Sequence, residues 1–355
     1  MIRRIGIFLT MLFSFVLVSY GQQFPYLKEV IVQCNVVQNL SDKMFYYAYN
    51  VSNSTESVGN IIMFDIDISR GNNDVSFDTV GLKFRNDGFT EKIFRNDYPV
   101  VQGRIVPVGF PNSPKIWHGN ISNYLTAGFG GDSRRLITPG DSLGGFVMMS
   151  EGLPGLRRLT VSPRFDPTQF LPDPDEYPDS LVNVDSLQKT LNYYGWTIGP
   201  TAPPLDFSAT SWIDTLISYK HQSVTLGWLT DNKSCKSDCD NIMNGRDWYT
   251  QGGFRQYDKW YPDNSWNFDR DWNNGTVEVL DARLNKAKAE LSRKDSVDAR
   301  RDLEIFVMEV ELLNDVNAKF VNSKRTPIMT NEAYALLKYN AEYLINKLPE
   351  GRVRK

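Results

Sequence analysis

The feature that most constrains the fold is a change in the spacing of hydrophobic residues along the chain. Up to about residue 161, short runs of β-branched and aromatic residues alternate with clusters of Asn, Gly, Asp and Pro, which is typical of antiparallel strands. Within Ile62–Ile68, positions 64, 66 and 68 share one face and Asp65 and Asp67 share the other, which is predicted to contact water. After Leu205, hydrophobic residues recur at steps of three and four, as in helices.

The helical spacing is clearest in three segments near the C-terminus. Each segment places its hydrophobic residues on one stripe, so each helix must bury a seam against a neighbour. Ser211, Ser296 and Thr330 are predicted N-caps, because a hydroxyl accepts hydrogen bonds from the unpaired amides of a first turn. Residues 206–350 are therefore predicted to form an all-α helical bundle. The predicted seams are Leu280, Leu284, Ala287 and Leu291; Leu303, Phe306, Val310 and Leu313; and Tyr334, Leu337, Ala341, Leu344 and Leu348.

A proline-rich stretch separates the two patterns. Eight of the eighteen prolines fall between Pro163 and Pro204. Because proline lacks an N–H and has a fixed φ, residues 163–205 are predicted to form an extended connector, whose end at Asn192–Ile198 either stays extended or closes the β domain as a strand or flap. The predicted fold class is thus multi-domain: an antiparallel β-sandwich over residues 22–162, the connector, and the bundle.

The first 21 residues predict export. Arg3 and Arg4 precede an apolar run from Ile5 to Val18, and small residues lead to Gly21, which is typical of a cleaved signal peptide. The apolar run is shorter than the roughly 20 residues that a membrane-spanning helix needs. We therefore predict an exported bacterial protein, periplasmic, at the cell surface or extracellular, with no integral membrane span after cleavage.

Charge and residue counts exclude several functions. The formal net charge is -3, so nucleic acid is not a predicted partner. Two histidines and three cysteines are too few for the usual zinc or iron sites, and no cofactor or metal is predicted. Serine hydrolysis is not predicted, because neither histidine lies in a motif for nucleophilic catalysis. His221 lies on the stripe of Ile213, Ile217 and Val224 and is predicted to be partly buried with a structural role.

The most unusual segment is an insertion at 231–275 in the first helical connection. It is rich in tryptophan and aspartate, and Cys235 and Cys239 are spaced for a local disulfide that leaves Cys34 as a buried thiol on a strand. The rings are predicted to form a small satellite core that holds the loop. The alternative is a carbohydrate-binding surface, because indoles stack on sugar rings and carboxylates bind their hydroxyls. The candidate ligand-binding residues are Trp248, Trp260, Trp266, Trp272, Asp269 and Asp271.

Several helical segments resemble the FIMAH-type domain, a small helical module of exported bacterial proteins. The resemblance rests on Trp212–Leu229, Leu284–Ala287, Ala299–Val310 and Glu332–Ile345, about 95 residues once the insertion is set aside. It implies a helical fold and export, with neither catalytic residues nor a defined ligand. Ile137–Phe146 is similar to accessory β-domains of exported bacterial proteins.

These observations predict an exported, non-catalytic binding or spacer protein. Its partner is predicted to be a glycan or another surface protein, bound by the loops of the β-sandwich or by the insertion. The alternative is a carbohydrate-active hydrolase that uses paired carboxylates of the insertion, such as Asp269 and Asp271.

Overall fold

The structure is a computed structural model that describes residues 24–39, 43–68, 117–121, 126–131, 136–166, 184–204, 206–231, 275–320 and 327–350. The prediction of antiparallel β-sheets in the N-terminal part and helices in the C-terminal part is confirmed. The described strands are β1 (Ile31–Gln38), β2 (Phe45–Ser52), β3 (Ile61–Asp67), β4 (Trp117–Ile121), β5 (Thr126–Gly131), β6 (Ser142–Ser150), β7 (Leu153–Pro163) and β8 (Tyr193–Thr201). The described helices are α1 (Val184–Leu191), α2 (Ala209–Thr225), α3 (Thr276–Ser292), α4 (Ser296–Phe320) and α5 (Asn331–Lys347).

The strands form two antiparallel sheets that face each other. One sheet has the order β1-β2-β6 and the other the order β4-β5-β3-β7-β8. Aromatic rings fill the space between them: Phe64 of the larger sheet packs edge-on against Phe146 of the smaller sheet at 5.0 Å between centroids, and against Tyr49 at 6.0 Å. Edge-to-face pairs of this kind add to the free energy gained by burying the rings.

The strand periodicity predicted from the sequence is confirmed in β3. Phe64, Ile66 and Ile68 are fully buried, whereas Asp65 and Asp67 are only partly buried on the opposite face. We call that opposite side of the five-stranded sheet its outer face.

The range predicted as a connector contains two regular elements near its end. Helix α1 is followed directly by β8, which pairs with the whole length of β7. Of the two alternatives for Asn192–Ile198, the strand is the one observed. The acidic part of the connector lies outside the described residues.

Four helices pack in a ring, in which α2 contacts α3 and α5, and α4 contacts α3 and α5. The predicted seams of α3 and α4 are buried throughout, and that of α5 is buried except for the partly exposed Tyr334. Within the described residues, no helix is long and apolar enough to cross a membrane.

Two of the three predicted N-caps are wrong by one to three residues. Ser208 caps α2 by accepting the Ser211 N–H at 3.4 Å, and Asp295 caps α4 by accepting the Asp298 N–H at 3.1 Å. In both cases the helix begins earlier than predicted, because a preceding Ser or Asp caps as well as the predicted residue does. Thr330 caps α5 as predicted.

The buried face of α2 differs from the predicted stripe. Its buried residues include Ile213, Leu216, Lys220 and Ser223, whereas the side chain of His221 is 61% exposed. The prediction of a partly buried His221 is therefore wrong. Lys220 takes the seam position because its ammonium meets Asp281 of α3 at 2.5 Å, and this ion pair offsets part of the cost of burying a charge.

Helix α5 joins the helices to the sheets along β1, an edge strand of the smaller sheet. The Cys34 N–H donates to Glu332 Oε1 at 2.6 Å, and the Tyr339 hydroxyl donates to Val36 O at 3.3 Å. The ring of Tyr339 packs against Phe45 at 5.1 Å. The helix thereby supplies hydrogen-bond partners to backbone groups of β1 that no neighbouring strand pairs with.

Candidate binding surface

The residues that the sequence singles out for binding all lie outside the described part of the chain. They are Trp248, Trp260, Trp266, Trp272, Asp269 and Asp271, together with the cysteine pair Cys235 and Cys239. The satellite core, the carbohydrate surface and the local disulfide therefore stay predictions. Among the cysteines, Cys34 is described, and it is a buried thiol on β1 as predicted.

An acidic cluster lies where α3 is followed by α4. Carboxylate oxygens of Glu290, Asp295 and Asp298 lie within 4.8 Å of one another. Glu290 Oε1 pairs with Arg293 at 2.6 Å, and Asp295 is the N-cap of α4. These contacts account for the cluster as a helix junction, and we assign no metal to it.

A second charged cluster joins α3 and α4, and its two carboxylates are buried. Arg283 donates to Glu309 Oε1 at 3.1 Å, and Lys286 donates to Asp302 at 2.9 Å. Burial raises the pKa of Glu309 to about 7, against the lowering effect of Arg283. Since Glu309 and Asp302 are each only 2% exposed, a substrate cannot contact them, and their role is structural.

Backbone groups and aromatic side chains are exposed instead at β8, which is the terminal strand of the larger sheet in the described part of the chain. Pro154 of β7 lies directly opposite Pro200 of β8. Neither residue has an N–H, so this is a non-hydrogen-bonded pair. Because the two kinds of pair alternate and the β7–β8 register is continuous, Ile198, Trp196 and Tyr194 occupy the same kind of position. Their backbone N–H and C=O groups therefore point away from β7, toward the edge.

The C-terminal half of this edge is occupied by the protein's own side chains. The Tyr49 hydroxyl donates to Ile198 O at 2.8 Å, and Arg157 Nε donates to Pro200 O at 2.9 Å. Both donors come from residues packed beside β8, and α5 also contacts this strand. Toward the N-terminal half, the described residues offer no such donor for the backbone of Tyr194 or Trp196.

The same N-terminal half carries exposed aromatic rings. Tyr194 is 60% exposed and Trp196 is 43% exposed. Arg158, directly opposite Trp196 on β7, places its guanidinium 5.9 Å from the centre of the indole. Arg158 has no ion-pair partner among the described residues. We call Arg158, Tyr194 and Trp196 the aromatic edge.

A polar row continues from the aromatic edge across the outer face. Tyr194 lies opposite Thr160, Thr160 opposite Asp65, and Asp65 opposite Gly128. A Cβ atom on Gly128 would clash with Asp65 Oδ1, so the carboxyl lies across the glycine. Burial raises the pKa of Asp65 to about 6. This carboxyl can therefore accept hydrogen bonds when ionised and also donate one when protonated, close to neutral pH.

Sequence reasoning located part of this surface. It placed Asp65 on a water-facing strand face and offered a closing strand at Asn192–Ile198, but it did not single out Arg158 or an open edge. Which strand ends a sheet depends on pairing between distant segments, and no local pattern in the sequence carries that information.

Comparisons with models of protein families, with curated proteins and with solved structures found no match for this chain. The resemblance of the helices to the FIMAH-type domain stays a prediction.

Proposed function

We propose that this chain is an exported, non-catalytic binding protein that acts at the cell surface or outside the cell, with the aromatic edge as a contact surface. The observation that supports the proposal is the exposure of Tyr194 and Trp196 beside the guanidinium of Arg158, which has no ion-pair partner in the described part of the chain. Tyr, Trp and Arg are the side chains most enriched among residues that dominate binding energy. The rings of Tyr and Trp bury a large area on binding, and these side chains lose few rotamers when they are held in place.

The finer architecture belongs to the same proposal. A β-sandwich is followed by a FIMAH-like helical bundle, and α5 fixes the bundle to β1, on the side where the smaller sheet ends. The insertion at 231–275 acts either as a second contact surface or as a satellite core. The partner is a glycan or another surface protein, and nucleic acid is not proposed.

The test screens the mature chain against a glycan array and against a displayed library of random linear peptides. We expect a saturable ligand whose affinity falls at least about tenfold, or about 1.4 kcal/mol, in Trp196→Ala. Tyr26→Ala is the matched control, because Tyr26 is also an exposed aromatic residue of the β region. Absence of any ligand in both screens, or binding equally lost in Tyr26→Ala, would contradict the proposal.

A glycoside hydrolase is the second candidate, and one described observation favours it. Asp65 and Asp67 share the outer face two residues apart on β3, so their Cα atoms are separated by about 7 Å. This backbone spacing allows the two carboxyl groups to reach the separation of about 5 to 9.5 Å found in glycosidases, whose acid partner has a raised pKa, as Asp65 has. Release of reducing ends from glycans that is lost in Asp65→Asn would establish hydrolysis and exclude the non-catalytic proposal.

A further inference from the structure

We infer that the aromatic edge binds an extended segment of another protein, which adds to β8 as a further strand of the five-stranded sheet. This inference rests on the proposed function and specifies its partner. The bound segment pairs with the backbone groups of Tyr194 and Trp196 and carries a carboxylate that meets Arg158.

The first argument comes from the backbone groups of β8. Unpaired N–H and C=O groups at a strand edge form a template for another strand, and proteins usually cover them. This protein covers the edge of β1 with Glu332 and Tyr339, and the C-terminal half of β8 with Tyr49 and Arg157. Within the described residues, the groups of Tyr194 and Trp196 are left without such cover.

The second argument comes from the side chains around these groups. On an added strand, residues opposite Tyr194 and Trp196 would lie on the same face as the two rings, about 4.5 to 5.5 Å away between Cβ atoms. Arg158 is exposed on that face and lacks an ion-pair partner in the described part of the chain. An acidic side chain opposite Trp196 is within reach of this long guanidinium and supplies the missing charge.

A protein segment fits these features better than a glycan does. Arg158 already lies over the ring of Trp196, where a sugar ring would stack. The hydroxyl groups of a glycan are not spaced as the N–H and C=O groups of a strand are, whereas an extended peptide has the same spacing as the strand that it joins.

The experiment uses peptides selected from the displayed random linear library on the full mature chain. Each selected peptide is synthesised with single N-methyl groups at successive positions. An N-methyl group on an amide that points toward β8 should weaken binding about tenfold, whereas one on the next amide should have little effect. We expect this alternation, together with slower hydrogen exchange at the amides of Tyr194 and Trp196 in the complex.

Variants of the chain separate the contributions. Arg158→Ala should weaken only peptides that contain an acidic residue, and replacing that residue with glutamine should weaken binding to the wild type by a similar factor. Tyr26→Ala should bind as the wild type does, and circular dichroism verifies that each variant is folded.

Four outcomes overturn the inference, and they differ in what they leave of the proposed function. A ligand that is a glycan alone, or peptide binding without alternation in the N-methyl scan, leaves a binding protein that does not add a strand. Protection of the Trp196 amide without ligand in a concentration-dependent dimer assigns the edge to a second copy of the chain. Absence of any ligand removes the proposed function as well.

Discussion

The interior between the two sheets and the interior among the helices are built from different chemistry. Among the described buried residues, the charged side chains all belong to the helices and their junctions: Lys220, Glu290, Asp302, Glu309 and Glu332. Between the sheets, buried polar groups are neutral, such as the hydroxyls of Tyr47 and Tyr49, and each donates to a backbone carbonyl. The contribution of the interior between the sheets to stability should therefore depend on packing alone, and that of the interior among the helices also on pH.

The largest expected effect is in the packing between the sheets. Phe64 is fully buried and contacts rings from both sheets. Phe64→Ala should lower the free energy of unfolding by about 3–5 kcal/mol, because it removes the ring and leaves a cavity. Denaturant titration at pH 5 and pH 8 measures this loss, and we expect it to be equal at the two values. A loss that differs between the two pH values would contradict the claim that the interior between the sheets depends on packing alone.

The next effect concerns Arg283, the cation that pairs with the buried carboxylate of Glu309 between two helices. Arg283→Met should lower the free energy of unfolding by about 3 kcal/mol at pH 8, because Glu309 then stays buried without its partner. At pH 5 the loss should be smaller, since a protonated Glu309 needs no cation. Lys288→Met is the control, because Lys288 pairs with Asp214 at a largely exposed site. An equal loss in both variants would contradict a special role for the buried pair.

The unmodified protein should itself become less stable as pH rises. Burial raises the pKa of both Glu309 and Glu342 from 4.5 to about 7, so the folded state binds more protons than the unfolded state between these values. Stability is then fully present below about pH 4.5 and is lost as pH rises through about 7, by about 1–3 kcal/mol in total.

Melting temperatures from pH 4.5 to 8 measure this slope. Glu309→Gln should reduce it, because glutamine has no proton to lose. A melting temperature that rises across the interval would show that these carboxyls ionise without penalty.

The smallest effect lies at the junction of the two regions. Glu332→Ala should cost about 1–2 kcal/mol, because the Cys34 N–H loses its acceptor in a buried place. Glu332→Gln keeps an acceptor oxygen and should cost less. Hydrogen exchange at the Cys34 amide should be faster in Glu332→Ala than in Glu332→Gln, and equal rates would place the acceptor elsewhere.

Sequence reasoning was most successful where one periodicity determines which residues are buried. The seams through Leu284 and Phe306 and the alternation around Asp65 follow from local spacing, and the structure confirms them. It failed at Lys220, because a lysine is compatible with a seam only if a partner exists, and Asp281 belongs to another helix. The aromatic edge could not be predicted for the same reason, because Trp196 lies at an edge only as a result of pairing between strands that are distant in the sequence.

Cys34 lies on β1 where α5 contacts the sheet, so the accessibility of its buried thiol reports whether this part of the protein is closed. Burial raises the pKa of its thiol well above the ordinary value, so little thiolate forms while the strand is covered. Alkylating reagents should therefore modify Cys34 only in molecules in which the core around β1 has opened. The rate of labelling, followed by mass spectrometry, would then measure how often this part of the protein opens.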